Sequence, residues 1–568
     1  MAWFDEAVFY HIYPLGLTGA PKENNYSAPA SRLKDIKPVI DHIKAIGCNA
    51  LYIGPLFESV GHGYETTDYK KTDSRLGTNE DLKDFVNTCH IKGIRVIFDG
   101  VFNHTGRDFF AFRDILEKRE NSPYKDWYSI NFWGNNSYND GFSYENWGGY
   151  DLLVKLNQKN PAVIDYFCDI IRFWVKEFDI DGIRLDAADV LDFDFMKRLR
   201  TAAEETKQDF FLLGEVIHGD YNRWVNKDTL HSVTNYVLHK ALYSGHNDRN
   251  YFEIAHTVKR LQDMGIRDNL YNFSDNHDVE RIYTKLSEKN HFIPLHILLY
   301  TLPGIPSVYY GSELGIEGRK EKHSDASLRP AIAMDTLKES ATQNALTLFI
   351  SALGRIRQGS KALAYGEYKE RCLKNRQYAF TREFQNETAV ITVNNDSAES
   401  TISLSGLKDG VYKGLLWGKE ALCTNGSFTV SIRGNGGEIW VNADRCEFTE
   451  HLKEEPVITV PSEAKDKKEN TAKIPDNNKA IEAEKSKKTT EAAKAAEEAE
   501  ANTADKAAEE IKNTEIPDKP YEEMTVKELQ AVILKKMEAN GFVTDRMRQD
   551  VYENVYHNSL VTWAKSFR

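Results

Sequence analysis

Three acids stand where chemistry is available. Asp186 closes the short apolar run Gly182 Ile183 Arg184 Leu185 Asp186, Glu215 closes Leu213 Gly214 Glu215 Val216, and Asp278 follows Asn276 His277. Side chains alternate along a strand, so Arg184 and Asp186 share a face and Asp186 sits where the run stops. Alone, an Arg-x-Asp is best explained as a buried ion pair stapling two strands. Acids at three separate strand ends, accompanied by Arg184, His104 and His277, point instead to a reactive site. Cleavage of a glycosidic bond needs such a set: a protonated acid at the leaving oxygen, a carboxylate facing the anomeric carbon, and a third acid to tune charge and grip hydroxyls.

Such acids converge only if the elements carrying them do. Short β-branched and aromatic runs recur at Val8–Leu15, Asn49–Gly54, Ile94–Val101, Gly182–Ala187, Phe210–Val216, Ser232–Tyr236, Leu270–Asp275 and Ile305–Tyr310. Between them lie segments of helical period, among them Ser31–Ile46, Asn79–Lys92, Pro161–Phe178 and Phe193–Lys207, with Ser31 and Asn79 as expected N-caps. Strand and helix alternate over roughly 350 residues, which predicts a (β/α)8 barrel of the α/β class formed by residues 1–102 and 161–360. A doubly wound open sheet is the competing arrangement, but no Gly-rich phosphate loop opens any of these helices.

Residues 103–160 interrupt the alternation after the third strand and are dense in Tyr, Trp, Asn and Gly. A small subdomain overhanging the active face is expected there. Over 361–446 the pattern becomes alternating strands, at Tyr378–Glu383, Thr388–Asn394, Thr401–Leu404, Val411–Leu416, Ser427–Ile432 and Gly437–Val441, read as a C-terminal antiparallel β-sandwich. Residues 447–520 lose their aromatics and run in Ala, Glu, Lys and Asp, the composition of a disordered charged linker with transient helix. A small helical module, 521–568, follows. It opens with the capping-box sequence Thr525 Val526 Lys527 Glu528, its first helix ends at Asn540 Gly541, and Thr544–Asn558 and Leu560–Phe567 give two more amphipathic segments. Docking onto a protein or a glucan competes with a passive capping role for this module.

The chain has 568 residues, a formal net charge of -13 and 11% aromatics. That charge argues against nucleic acid or an anionic membrane surface as the main partner, and it leaves neutral substrates open. Tyr and Trp cluster in the first 320 residues, as suits a site that stacks sugar faces. Met1 to Glu6 lack a basic region before an apolar one, and no later stretch is long and apolar enough to span a bilayer. Cys48, Cys89, Cys168, Cys372, Cys423 and Cys446 are scattered without metal-binding spacing. A cytoplasmic protein with reduced thiols is the expectation.

Asp99 Gly100 Val101 Phe102 Asn103 His104, then Gly182 to Asp186, then Gly214 Glu215 Val216, then Phe273 to Asp278 resemble the four ordered signature regions of the α-amylase superfamily, glycoside hydrolase family 13. Gly61 to Tyr69 and Ile305 to Glu313 extend the likeness, which covers residues 3 to 445. The resemblance implies that Asp186 is the nucleophile, Glu215 the general acid/base and Asp278 the transition-state stabiliser. It also implies substrate contacts from Tyr64, Asp99, His104, Arg184, His277 and Arg329. Satisfied structural histidines at His104 and His277, and plain packing by Tyr64, are the competing readings. Arg184 is expected to depress the pKa of Asp186 and keep it anionic, while Glu215 carries its proton until the leaving group departs.

Leu153 Val154 Lys155 Leu156 Asn157 and His218 resemble the neopullulanase, cyclomaltodextrinase and maltogenic amylase group, which implies contacts from Lys155, Asn157 and His218. Val154 replaces a proline of that pattern, Ile217 replaces a tryptophan, and the group's extra N-terminal domain is missing. The lysine and histidine that secreted α-amylases carry after the nucleophile correspond to Asp189 and Val190, so their product-side contact and calcium coordination are not carried over. No cofactor is required by the chemistry; calcium at Asn103 is the one metal option raised. The expected function is retaining hydrolysis of α-1,4 and also α-1,6 bonds in short malto-oligosaccharides and cyclodextrins. An α-glucan transglycosylase would share every catalytic residue. A non-catalytic or transporter-associated subunit would lose acids that this chain keeps.

Overall fold

The computed structural model describes residues 2–266, 270–322, 324–442, 452, 517, 519–521 and 524–539. Eight parallel strands form the central sheet: β1 (Phe9–Ile12), β2 (Ala50–Ile53), β3 (Arg95–Gly100), β4 (Gly182–Leu185), β5 (Phe211–Gly214), β6 (Ser232–Val233), β7 (Tyr271–Phe273) and β8 (Ile305–Tyr309). Each lies within one of the eight expected runs. Consecutive strands pair in parallel, and β8 also pairs with β1. The ring closes between β6 and β7 through a parallel bridge from Thr234 to Tyr271, with the Asn235 N–H donating to the Tyr271 carbonyl at 2.9 Å. Closure makes this the barrel and rules out the open sheet.

The strands read as almost continuous apolar runs because both of their faces are covered. Gly182 starts β4 where a Cβ would lie 2.4 Å from the Phe211 carbonyl, so only glycine lets β5 pack this close. Gly54, just beyond β2, plays the same part against Asp99, whose Cβ would be 2.3 Å away. Both glycines sit next to residues that carry the site.

The outer helices follow expectation with three corrections. Ser31–Ile46 is two helices, Arg32–Asp35 and Val39–Ala45, with the chain redirected at Pro38, whose ring cannot continue a helix ladder. Ser31 makes no side-chain cap bond. The cap of Asn79–Ile91 is Thr78, whose Oγ1 accepts from the Asp81 N–H at 3.2 Å while Asp81 accepts from the Thr78 N–H at 3.0 Å. The Asn79 side chain instead accepts from the backbone and hydroxyl of Thr72. Pro161–Phe178 is found as expected, capped by Asn160, and Phe193–Thr206 is capped by Asp192. Helix Phe292–Thr301 is buried along its whole length because it lies between the barrel and the C-terminal sheet.

The inserted residues form a compact aromatic subdomain. Helix Phe110–Lys118 packs Phe112 edge-on against Tyr128 and Tyr144. A three-stranded sheet joins His104–Thr105, Tyr150–Lys155 and Asn146–Trp147. Its first strand follows directly on β3, which ties the insertion to the active face. The C-terminal strands β9 (Glu367–Leu373), β10 (Gln377–Phe384), β11 (Glu387–Asn394), β12 (Ser400–Ser405), β13 (Gly410–Gly414), β14 (Glu420–Thr424), β15 (Ser427–Ile432) and β16 (Gly436–Asn442) form one antiparallel sheet. The order is β9-β10-β11-β16-β13-β14-β15-β12. The sheet folds over so that Ala379 and Val390 meet Ile402, Phe428 and Val430 in a shared core, which is the sandwich; β9 and β14 were not expected.

The first compact unit ends at Pro461. Leu452, within the stretch read as linker, donates its N–H to the Leu416 carbonyl at 2.9 Å and packs against the core, so the folded part extends beyond residue 446. The second unit, 462–568, contains helix Val526–Ala539. Its expected capping box is present: the Thr525 N–H donates to Glu528 Oε2 at 2.6 Å, and the Glu528 N–H donates to Thr525 Oγ1 at 3.3 Å. Apart from residues 517, 519 and 520, the rest of the linker lies outside the described residues, as do Asn540 Gly541 and the two later helical segments.

Candidate active site

Strand register explains why the charges meet. Arg184 of β4 is paired with Asp99 of β3, so both side chains point into the same end of the barrel. Asp186 and Glu215 sit one step past their strands: the Asp186 N–H donates to the Gly100 carbonyl at 3.0 Å, and the Glu215 N–H donates to the Leu185 carbonyl at 2.9 Å. Directly after Asp186, Ala187 adopts a left-handed conformation, φ 47 and ψ 41, which is disfavoured for a residue with a Cβ. That turn aims the Ala187 N–H at Glu215 Oε2, 3.0 Å away. Asp278 stands on a short turn in which its own N–H and that of Val279 donate to Asn276 Oδ1.

One guanidinium gathers three acids. Arg184 Nη1 lies 2.8 Å from both Asp99 Oδ1 and Asp186 Oδ1, and its Nη2 lies 2.9 Å from Glu215 Oε2. Across the site, Asp278 Oδ1 takes Arg329 Nη2 at 2.8 Å and its Oδ2 lies 3.0 Å from His277 Nε2. Arg329 also donates to the His277 carbonyl, fixing the turn that carries the acid. The three expected acids and both expected arginines therefore form one cluster.

Charge and burial set the states of these groups. Burial pushes the Asp186 carboxyl well above its ordinary range; Arg184 opposes this, and the carboxylates of Glu215, Asp99 and Asp278 reinforce it. The expected depression by Arg184 is thus outweighed, because burial acts first and the one guanidinium is shared with Asp99 and Glu215. Asp278 goes the other way: burial disfavours its charge, but contact with His277 and the charges of Arg329 and Arg184 hold it well below the ordinary carboxylate range.

The remaining expected contacts divide. Tyr64 and His277 stack with ring centroids 5.6 Å apart and bond through the Tyr64 hydroxyl and His277 Nε2. Asp99 lies behind Arg184, where Tyr52 and Tyr64 hydroxyls donate to its Oδ2 at 2.9 and 3.1 Å. His104 is buried and pushed down to about 3 by that burial, hence neutral; its Nε2 donates to the Tyr64 carbonyl while Asn103 Nδ2 donates to its Nδ1. Lys155, paired in register with His104, reaches Glu145 at 3.3 Å. Asn157 donates to the Asp126 carbonyl, fastening the subdomain to itself, and His218 is exposed on the loop after Glu215.

Asn103, the residue raised for calcium, is buried, and its Oδ1 accepts from Gln158 Nε2 at 3.1 Å; among the described residues no group of three or more His, Cys, Asp or Glu is placed to hold a metal ion. Three aromatic residues of the site escaped sequence reasoning. Tyr13 stacks on His277 at 5.9 Å and lies under the Arg329 guanidinium at 4.7 Å. Tyr52 holds Asp99, and the Tyr236 hydroxyl lies 3.5 Å from Glu215 Oε1 while accepting from Asn276 Nδ2. Tyr13 and Tyr236 had one available signal, their position at strand ends on the active face.

A family model described as alpha amylase, catalytic domain, matches residues 30–351. A cyclomaltodextrinase of Thermoanaerobacter pseudethanolicus is 30% identical over 427 residues, 71% of this chain and 72% of that protein. Neopullulanase 2 of Thermoactinomyces vulgaris is 30% identical over 467 residues, 78% of each. The solved structure of a debranching enzyme from Nostoc punctiforme superposes with a TM-score of 0.66 at 27% identity, covering 77% of this chain and 98% of that one. The barrel, its acids and these likenesses agree: the chain belongs to the alpha-amylase family. Within that family it is a glycoside hydrolase acting on α-glucans.

Proposed function

We propose that the protein hydrolyses short α-glucans with retention of anomeric configuration, opening α-1,4 and also α-1,6 bonds of malto-oligosaccharides, cyclodextrins and pullulan. The observation that carries this reading is the binding of Asp186 and Glu215 to the two arms of one guanidinium. Neighbouring arms of one fork favour the close spacing of about 5 to 5.5 Å that a nucleophile needs, over the wider gap that admits a water.

In the first step an Asp186 oxygen bonds to the anomeric carbon as the glycosidic C–O bond breaks, and Glu215 gives its proton to the departing oxygen. Asp278, held anionic by Arg329 and His277, stabilises the positive charge that develops on the ring. In the second step Glu215 takes a proton from water, whose oxygen displaces Asp186 from the sugar. A sugar hydroxyl entering in place of water gives transfer, a minor product in this reading. Tyr64 presents its ring beside the sugar.

Short substrates suit a protein inside the cell. Among the described residues no helix is long and apolar enough to cross a membrane, and an intracellular maltogenic amylase of Bacillus subtilis is 29% identical over 384 residues. The test is product analysis by chromatography and proton NMR on maltotriose, a cyclodextrin, pullulan, starch and sucrose. Retained anomers with the short or cyclic substrates cut at least as fast as starch are expected. Inverted initial products overturn the mechanism, a strong preference for starch overturns the substrate class, and action on sucrose alone moves the chain to transfer chemistry.

A further inference from the structure

The two oxygens of Glu215 are not equivalent. Oε2 takes Arg184 Nη2 at 2.9 Å and the Ala187 N–H at 3.0 Å. Two donors on Oε2 leave Oε1 as the oxygen that carries the transferable proton. Whatever faces Oε1 therefore bears on how the proton moves. The group there is the hydroxyl of Tyr236, 3.5 Å away.

Tyr236 is held in place from three sides. It opens the helix Tyr236–Asn247, whose cap Asn235 accepts from the Leu238 N–H and gives its own side-chain amide to Asn272 of β7 at 2.8 Å. The barrel seam thus fixes where the helix starts. The Tyr236 ring packs edge-on against Phe273 with centroids 5.0 Å apart. At its tip, Asn276 decides which way the phenol hydrogen points. Asn276 Oδ1 accepts from the backbone N–H groups of Asp278 and Val279, which orients the amide and turns its Nδ2 onto the Tyr236 oxygen at 3.1 Å. An oxygen that accepts from Asn276 has its own hydrogen to give, and Glu215 Oε1 receives it. A chain of donors runs from the turn that carries Asp278, through Tyr236, to Glu215.

We propose that Tyr236 is a positioning residue for proton transfer: its hydroxyl aims Glu215 Oε1 at the leaving oxygen and tightens its hold as that oxygen gives up its proton. In the first step the O–H bond of Glu215 breaks and the proton goes to the departing glycosidic oxygen. Oε1 is left with negative charge, and a hydrogen bond to a charged acceptor is roughly twice as strong as a neutral one. Support that grows toward the transition state raises the rate and not the affinity. In the second step Oε1 takes a proton from water while Tyr236 keeps its direction; Tyr236 itself neither gains nor loses a proton. Hydrogen bonds of this kind shorten when substrate closes the site. The inference rests on the glycosidase mechanism proposed above.

The experiment uses the full-length protein and its Y236F variant, which keeps the ring against Phe273 and removes only the hydroxyl; melting temperatures confirm that both are folded. The substrates are aryl α-maltosides graded by leaving group, from dinitrophenyl, which departs without a proton, through nitrophenyl to phenyl, which needs one. On this series kcat/KM reports the first step. Y236F is expected to lose about tenfold or more on the phenyl maltoside and to stay within about twofold of the parent on the dinitrophenyl one. A role in packing or in gripping the leaving group lowers every member by the same factor, and that result overturns the proposal. So does a folded Y236F that matches the parent across the series. Glu215→Gln is the control and is expected to show the same trend more steeply. If Glu215→Gln loses one constant factor on all members, or the parent does not turn over maltotriose, the glycosidase mechanism itself fails, and the control and parent show this without reference to Y236F.

Discussion

Arg184 is the residue whose surroundings decide what the acids can do. Its three carboxylate partners, Asp99, Asp186 and Glu215, are carried by three strands, and in the proposed reaction Asp186, Glu215 and Asp278 each take a different part. Asp186→Asn, Glu215→Gln and Asp278→Asn preserve shape and remove a charge or a transferable proton, so each is expected to lower kcat by several orders of magnitude while circular dichroism stays unchanged. A folded variant that keeps more than about a tenth of kcat, a loss of only about 1.4 kcal/mol, contradicts the role given to that residue. These acids were legible because strand ends of a parallel barrel are reactive positions. The charge of Asp186 was not, since the sequence shows one neighbouring arginine but hides the burial and the sharing of that arginine with Asp99 and Glu215. Nor was the position of Asp99 behind Arg184, which depends on β3–β4 register.

Elements were legible where periodicity was strong and blurred where local chemistry competes. All eight barrel strands fall within expected apolar runs, and Pro161–Phe178 begins and ends as read because Asn160, Pro161 and Asp179 punctuate it. Two C-terminal strands, Glu367–Leu373 and Glu420–Thr424, escaped notice: each buries a single side chain, Tyr368 and Cys423, and neither run carries a continuous apolar signal. Thr78 and Asn79 are both competent caps, and sequence alone does not choose between them. The structure does: Thr78 closes the reciprocal box with Asp81. Thr78→Ala is expected to cost about 1 kcal/mol, read from chemical denaturation. No measurable loss from Thr78→Ala assigns the helix start elsewhere.

At the scale of the molecule, the barrel, the subdomain and the C-terminal sheet form one unit through Pro461, and helix Phe292–Thr301 binds two of these parts with apolar residues on every side. Composition located the change near residue 447, but the Leu452 contact with Leu416 is tertiary and leaves no mark in composition. A chain ending at Pro461 is expected to keep its melting temperature within a few degrees and its kcat on maltotriose within about twofold. A large fall in either assigns residues 462–568 a part in the fold or the chemistry. Everything proposed for the site depends on a sugar becoming bonded to Asp186. The most direct measurement is intact-protein and peptide mass spectrometry of Glu215→Gln incubated with α-maltosyl fluoride, whose leaving group departs without help from an acid. A maltosyl adduct on the peptide containing Asp186 is the expected result; no adduct, or an adduct on Asp278, contradicts the account.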